Sequence, residues 1–159
     1  MHIQFIFRPL EDLEGSLMAL YQWYADVFTL DAEARAMFTK LAGEEKNHVA
    51  LVRYQKKLVT KNISLFGNVD VDLQDVRHLT AAAQRLTKAT PRPSLEEAVT
   101  TALKFERSAG ESHLRTAMRQ ANPDMDKLLT ALCQGDKGHV SGLEAFAKKR
   151  GISTAGQPS

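Results

Sequence analysis

A helical stripe of apolar residues interrupted by glutamate and histidine cannot be buried unless something neutralises the interruptions, because an unpaired charge in a core is very costly. This chain carries four such stripes, at the alternating three- and four-residue spacing of core-facing helices. The first follows Pro9, a residue suited to a helix start, and reads Leu10, Glu14, Leu17, Tyr21, Tyr24, Phe28. The second follows Asp31 as N-cap, reads Ala34, Phe38, Leu41, Glu45, His48, Val52, and extends to about Thr60. Ser94 and Glu97 form a capping-box pattern ahead of the third, Leu95, Val99, Ala102, Glu106, Ala109, His113. The fourth follows the Asn122-Pro123 break and reads Met125, Leu129, Leu132, Asp136, His139, Leu143, Phe146.

The interruptions fall at matching heights. If the first two helices turn near Leu30, Glu14 and Glu45 each lie roughly 23 Å from the turn at 1.5 Å per residue. A turn near Asn122 places Glu106 and Asp136 level in the same way. The halves also repeat: Glu14 to Glu106 is an offset of 92, and Glu45 to Asp136 and His48 to His139 are both offsets of 91. LAGEEKNH parallels LCQGDKGH. The pattern predicts two helical hairpins related by an approximate internal two-fold axis. They are joined by a long crossover, in which DVDLQDVRHLTAAAQRLTKA forms a helix of its own.

Length and composition bound the remaining possibilities. At 159 residues the chain reads as a single domain able to bury a core without staples. It divides into an extended arm over 1–8, a bundle over 9–150 and a flexible tail over 151–159. The 21 basic and 19 acidic residues are interspersed, net +2, which points to neither nucleic acid nor membrane as a partner. One cysteine, Cys133, allows no internal disulfide and no Cys-x-x-Cys metal knuckle. The apolar run HIQFIFRPL is too short for a signal peptide or a span, so a cytoplasmic location is expected.

Four stripe carboxylates, with no lysine or arginine among the polar stripe positions, call for about two divalent cations, and the histidines add neutral nitrogen ligands. That mixture suits iron or manganese; zinc is the less suited alternative. Asp136 is one methylene shorter than glutamate, and Gly135, Gly138 and Gly142 around it are expected to let helices approach closely. Tyr21 and His113 stand seven residues from Glu14 and Glu106, too far along the axis to ligate from the same helix face; Tyr21 is read as core packing or as a catalytic group acting from behind the ligands. Glu44 is placed to orient His139 through its second nitrogen. His2 and His78 are read as solvated, Glu11, Glu96 and Glu111 as surface groups, and Trp23 as packing.

On these residues the chain resembles the ferritin-like di-iron carboxylate superfamily, all-α four-helix bundles with a lone glutamate on each of two helices and Glu-x-x-His on the other two. Glu14 and Glu106 match the lone glutamates, Glu45 with His48 matches one Glu-x-x-His, and Asp136 with His139 matches the second with Asp for Glu. The resemblance covers about residues 9–150, and LEDLEGSLMALYQWYADVF with LAGEEKNHVALV is most similar to rubrerythrins. It implies two iron ions bridged by Glu45 and Asp136 with Glu14 and Glu106 as terminal ligands, and reduction of hydrogen peroxide. Leu103 stands where rubrerythrins commonly carry an extra carboxylate, and no rubredoxin domain follows, so electrons are expected from a separate donor. A homodimer is expected. Ferroxidase or iron-handling chemistry with oxygen, and a non-catalytic metal-binding module, are the alternatives.

Overall fold

A computed structural model describes residues 1–108, 121–122 and 136–154, with Asp136 and Lys137 in backbone alone. The described residues are all-helical: α1 (Phe7–Val27), α2 (Ala32–Lys61), α3 (Gln74–Leu86), α4 (Leu95–Glu106) and α5 (Asp136–Lys149), with 3-10 turns at Ile3–Phe5 and Ile63–Leu65. Glu111, His113, Met125, Leu129, Leu132, Cys133 and Gly135, all used in the sequence reading, lie outside the described residues.

The stripes become the core. Leu10, Leu17, Tyr21 and Tyr24 of α1 are buried, as are Ala34, Phe38, Leu41 and Val52 of α2. Near the α1–α2 turn, the Phe38 ring meets Tyr24 edge-on at 5.1 Å and stacks on Phe28 at 5.9 Å. α2 begins where its sequence cap requires, with the Asp31 carboxylate accepting from the Ala34 amide at 3.0 Å. α3 packs on α1. There Gln84 Nε2 donates to Ser16 Oγ at 3.3 Å, a polar link that the stripes did not reveal.

α4 opens on the complete capping box: Glu97 N–H donates to Ser94 Oγ at 3.1 Å and Ser94 N–H to Glu97 Oε2 at 2.7 Å. Ser94→Ala leaves one of these exposed amides to water, and a loss of about 1 kcal/mol is expected in chemical denaturation. α5 packs on α4 and runs antiparallel to α2, since Lys149 pairs with Glu33 and Arg150 with Asp31 at the start of α2. Leu143, Phe146 and Ala147 form its buried face.

Four expectations need correction. The arm over 1–8 is not extended: Ile3–Phe5 is a 3-10 turn, α1 starts at Phe7 before Pro9, and Ile3, Ile6 and Phe7 are fully buried. This segment is held by the loop after α2, through Val69 N–H to Met1 O at 2.8 Å and Ile3 N–H to Gly67 O at 3.3 Å. His2 is therefore half-buried rather than solvated, its Nδ1 accepting from Gln4 N–H and its Nε2 lying 3.1 Å from Phe66 O. The third stripe was expected to run as one helix through Ala109 and His113; α4 instead ends at Glu106 with Arg107 as C-cap, and Ala109 and His113 lie outside the described residues. Finally, a Cβ on Gly138 or Gly142 would meet nothing within 4 Å, so these two glycines do not serve close helix approach.

Charge is also less evenly spread in space than along the chain. Arg53, Lys56, Lys57 and Lys61 recur at helical spacing on α2 and line one groove with Glu11, which pairs with Arg53 at 2.6 Å. Among the described residues no helix is long and apolar enough to cross a membrane.

Candidate metal centre

Four helices bring ionisable side chains to one place in the interior. α1 contributes Glu14, 5% exposed; α2 contributes Glu45, 1% exposed, and His48; α4 contributes Glu106 from its last turn; α5 contributes His139, 5% exposed. Their ligand atoms form two groups, Glu14 with Glu45 and His48, and Glu45 with Glu106 and His139, and within each group all atoms lie within 4.8 Å of one another. Glu45 belongs to both. Asp136 opens α5, three residues before His139, but its side chain is outside the described residues.

The two histidines face each other across the cluster with rings stacked, centroids 5.3 Å apart and planes at 24°. Each presents Nδ1 inward. His48 Nδ1 lies 3.2 Å from Glu45 Oε2 and 3.5 Å from Glu14 Oε2, and His139 Nδ1 lies 3.3 Å from Glu106 Oε2. On the opposite ring edge, His139 Nε2 meets Glu44 Oε2 at 3.0 Å, the contact the sequence anticipated.

Tyr21 is fully buried and donates its hydroxyl to Glu106 Oε1 at 2.6 Å. Its seven-residue distance from Glu14 along α1 does exclude that neighbour; the tyrosine reaches the facing helix instead. Sequence spacing measures distance along one helix and carries no information about reach across the bundle, so this contact was not legible.

The electrostatics of the cluster are unfavourable without a cation. Burial, together with the Glu14 carboxylate and the Glu106 charge, raises the Glu45 carboxyl well above its ordinary 4.5, although the His48 hydrogen bond works the other way. Burial also raises the Tyr21 hydroxyl well above 10.0, reinforced by the charges of Glu106 and Glu45. For His139, burial lowers the pKa, but the Glu106 hydrogen bond and the charges of Glu106 and Glu44 outweigh it, and the net shift is upward from 6.5.

Two observations show that the cluster fits divalent cations. Glu14 Oε2 is buried with no hydrogen-bond partner among the described residues, only the 3.5 Å approach of His48 Nδ1, so a strong acceptor in the cluster has capacity to spare there. Glu106 sits in the last turn of α4, where the helix dipole opposes a negative charge and a neighbouring cation would offset it. The donor set among the described residues, carboxylate oxygens and imidazole nitrogens, is one that could hold a metal ion.

The structure adds one core group that the stripes missed. Gln55 is 1% exposed, between Val52 and Val59 on the inner face of α2, and its Oε1 accepts no hydrogen bond among the described residues. His78, read as solvated, is exposed; Leu103 is buried at 2%. No family model, curated protein or solved structure matches the chain.

Proposed function

We propose that the chain is a ferritin-like four-helix bundle holding a non-haem di-iron centre, and that it reduces hydrogen peroxide with electrons from a separate donor. The observation that carries the reading is the sharing of Glu45 by two ligand groups, which is what two cations bridged by one carboxylate require. Glu14 and His48 would complete one position, and Glu106 and His139 the other, with Asp136 as the second bridging carboxylate by its place in the repeat.

Bound iron supplies Lewis acidity toward a peroxide and two electrons at adjacent positions. The overall reaction consumes one hydrogen peroxide, two electrons and two protons and yields two waters. The residues of the chain supply the setting. Glu14, Glu45 and His139 lie behind the apolar faces of α1, α2 and α5, which limits water at the site and strengthens every charge interaction within it. Tyr21 keeps its proton, because its pKa is raised, and holds Glu106 by Oε1. This leaves Glu106 Oε2 directed at the cluster beside His139.

The direct test is metal counting after anaerobic Fe(II) loading, followed by peroxide consumption with a chemical reductant. About two irons per chain and peroxide-dependent reoxidation support the reading. Rapid oxidation of excess Fe(II) by oxygen without peroxide turnover would favour iron handling instead, and absence of bound metal would sink both. Tyr21→Phe removes the hydroxyl from Glu106 while keeping the ring in the core. We expect it to retain two irons and to lower peroxide turnover about 10- to 100-fold, read by stopped-flow reoxidation.

A further inference from the structure

We propose that the outer face of the C-terminal half of α2 is the docking surface for the electron donor, and that the donor is a small protein presenting an acidic face. The inference rests on the metal-centre reading and adds the place where its electrons enter, on residues outside both ligand groups.

Charge on this face is one-sided. Arg53, Lys56, Lys57 and Lys61 are all exposed and line a groove of about 440 Å³ with Thr60 and Glu11. Glu11 is taken up by Arg53, whose Nε lies 2.6 Å from Oε1, which leaves the lysines to set the sign of the groove. Such a field attracts an acidic partner and speeds its arrival. Lysines on a helix can be no more than a solvated face, but the same half of α2 also exposes an aromatic ring. Tyr54, 54% exposed, stands three residues before Lys57 and seven before Lys61, on one line of the helix. Ile63 and Leu65, in the turn that follows, are 45% and 66% exposed. Apolar anchors bordered by basic groups are the anatomy of a protein interface rather than of a face meant only for water.

The groove also stands close to the centre. From Glu14 toward the start of α1, and from His48 toward the end of α2, the two helices lead to the same place, the Glu11–Arg53 pair. Glu11 is about 4.5 Å from Glu14 along α1, and Arg53 is about 7.5 Å from His48 along α2. A donor seated there gives up two electrons near the ligands and leaves oxidised, and the peroxide takes up those electrons with two protons from water. Encounters between electron-transfer partners are small, below about 1,200 Å² of buried surface, which half of one helix and its following turn can supply. Other occupants fit less well. A second copy would bring the same positive charge to this face and be repelled. An anionic lipid surface would be repelled by Asp70 and Asp72, exposed in the loop directly after Leu65.

The test uses the full chain, with an acidic plant-type ferredoxin and a basic c-type cytochrome as opposed probes. Wild type is compared with Lys56→Glu/Lys57→Glu, with Tyr54→Ala, and with Arg85→Glu/Arg92→Glu, which makes the same change in net charge at exposed residues outside the groove. Ferredoxin binding to the as-purified chain is followed by NMR. In the iron-loaded chain, peroxide-dependent oxidation of reduced ferredoxin is measured against ionic strength, with turnover by a small uncharged reductant as the reference. We expect Lys56→Glu/Lys57→Glu to lose about 10-fold in kcat/KM for ferredoxin at low salt, and to lose the steep decline with salt that wild type shows. Tyr54→Ala should lose less, and Arg85→Glu/Arg92→Glu and all rates with the uncharged reductant should stay at the wild-type level. The proposal is overturned if the lysine variant keeps wild-type ferredoxin binding and kcat/KM, if Arg85→Glu/Arg92→Glu reproduces the loss, or if wild type takes electrons as readily from the cytochrome. Binding to phosphatidylserine vesicles through the same lysines, without ferredoxin binding, would assign the face to a membrane and overturn it equally. No peroxide turnover with the uncharged reductant sinks the metal-centre reading and the donor assignment with it, whereas turnover there with ferredoxin indifferent to the groove sinks the docking face alone.

Discussion

Glu45→Ala is expected to take the purified, iron-loaded chain from about two ions to none, because the residue serves both positions. Glu14→Ala and Glu106→Ala each touch one group and should each lower the count by about one. Far-UV circular dichroism should show the helices of the Glu45 variant retained, since the apolar faces that pack them remain intact. A sharper version uses Glu45→Gln, which keeps the volume and removes the charge. Because burial disfavours the charged form of the Glu45 carboxyl, the metal-free Glu45→Gln protein should melt above the metal-free wild type near neutral pH. Retention of two ions in Glu45→Ala would refute the shared-ligand assignment whatever the activity.

Metal loading should change stability more than any surface substitution, and in a pH-dependent way. An ion at 1,000 times its dissociation constant stabilises the native state by about 4 kcal/mol. For a chain of this length that corresponds to a rise in Tm of about 8–16 °C per position. The sign of the pH dependence follows from the two raised groups. Glu45 and His139 have folded pKa values above their ordinary 4.5 and 6.5, so the native state binds more protons than the unfolded state across that window. Their stabilising contribution is complete below the unfolded values and is lost as pH rises through the folded ones. The metal-free protein should therefore melt at progressively lower temperature from about pH 5 to about pH 8. Asp31, lowered from 3.8 chiefly by the Ala34 amide, acts in the opposite sense, its contribution being lost as pH falls through its folded value. Cations displace the site protons, so their affinity grows with pH, and the gap between loaded and metal-free melting should widen toward alkaline pH. Calorimetry with and without chelator measures both; a gap that narrows with rising pH would contradict the site.

What was legible in the sequence was whatever depends on one helix at a time. The spacing from Ala34 to Val52 and the Asp31 cap placed α2 closely, and Ser94 with Glu97 marked the start of α4. The anomalous residues Glu14, Glu45, His48, Glu106 and His139 stood out because a core stripe has no other use for them, and the structure brings these five together. Asp136 came from the same pattern, and its side chain lies outside the described residues. What was not legible depends on contacts between distant segments. The 3-10 turn at Ile3–Phe5 is held by the loop at Gly67–Val69, and nothing local to Met1–Arg8 announces that partner. Tyr21 finds Glu106 85 residues away. Gln55 looked like one more polar residue in a helix rich in them, since only packing decides that its position faces inward. The glycines of α5 were assigned to close approach from composition alone, and the open space around Gly138 and Gly142 shows that small residues on a helix need not face a neighbour.

A core whose central residues are acidic has a consequence beyond chemistry. Between synthesis and the arrival of its ions, the chain must hold the Glu45 carboxyl in an interior that disfavours its charge, and its native state is then at its least favoured. Proteases act on whatever fraction is open. Cells short of the ion should accordingly hold less of the protein even when its message is unchanged, so that abundance itself becomes a readout of metal supply.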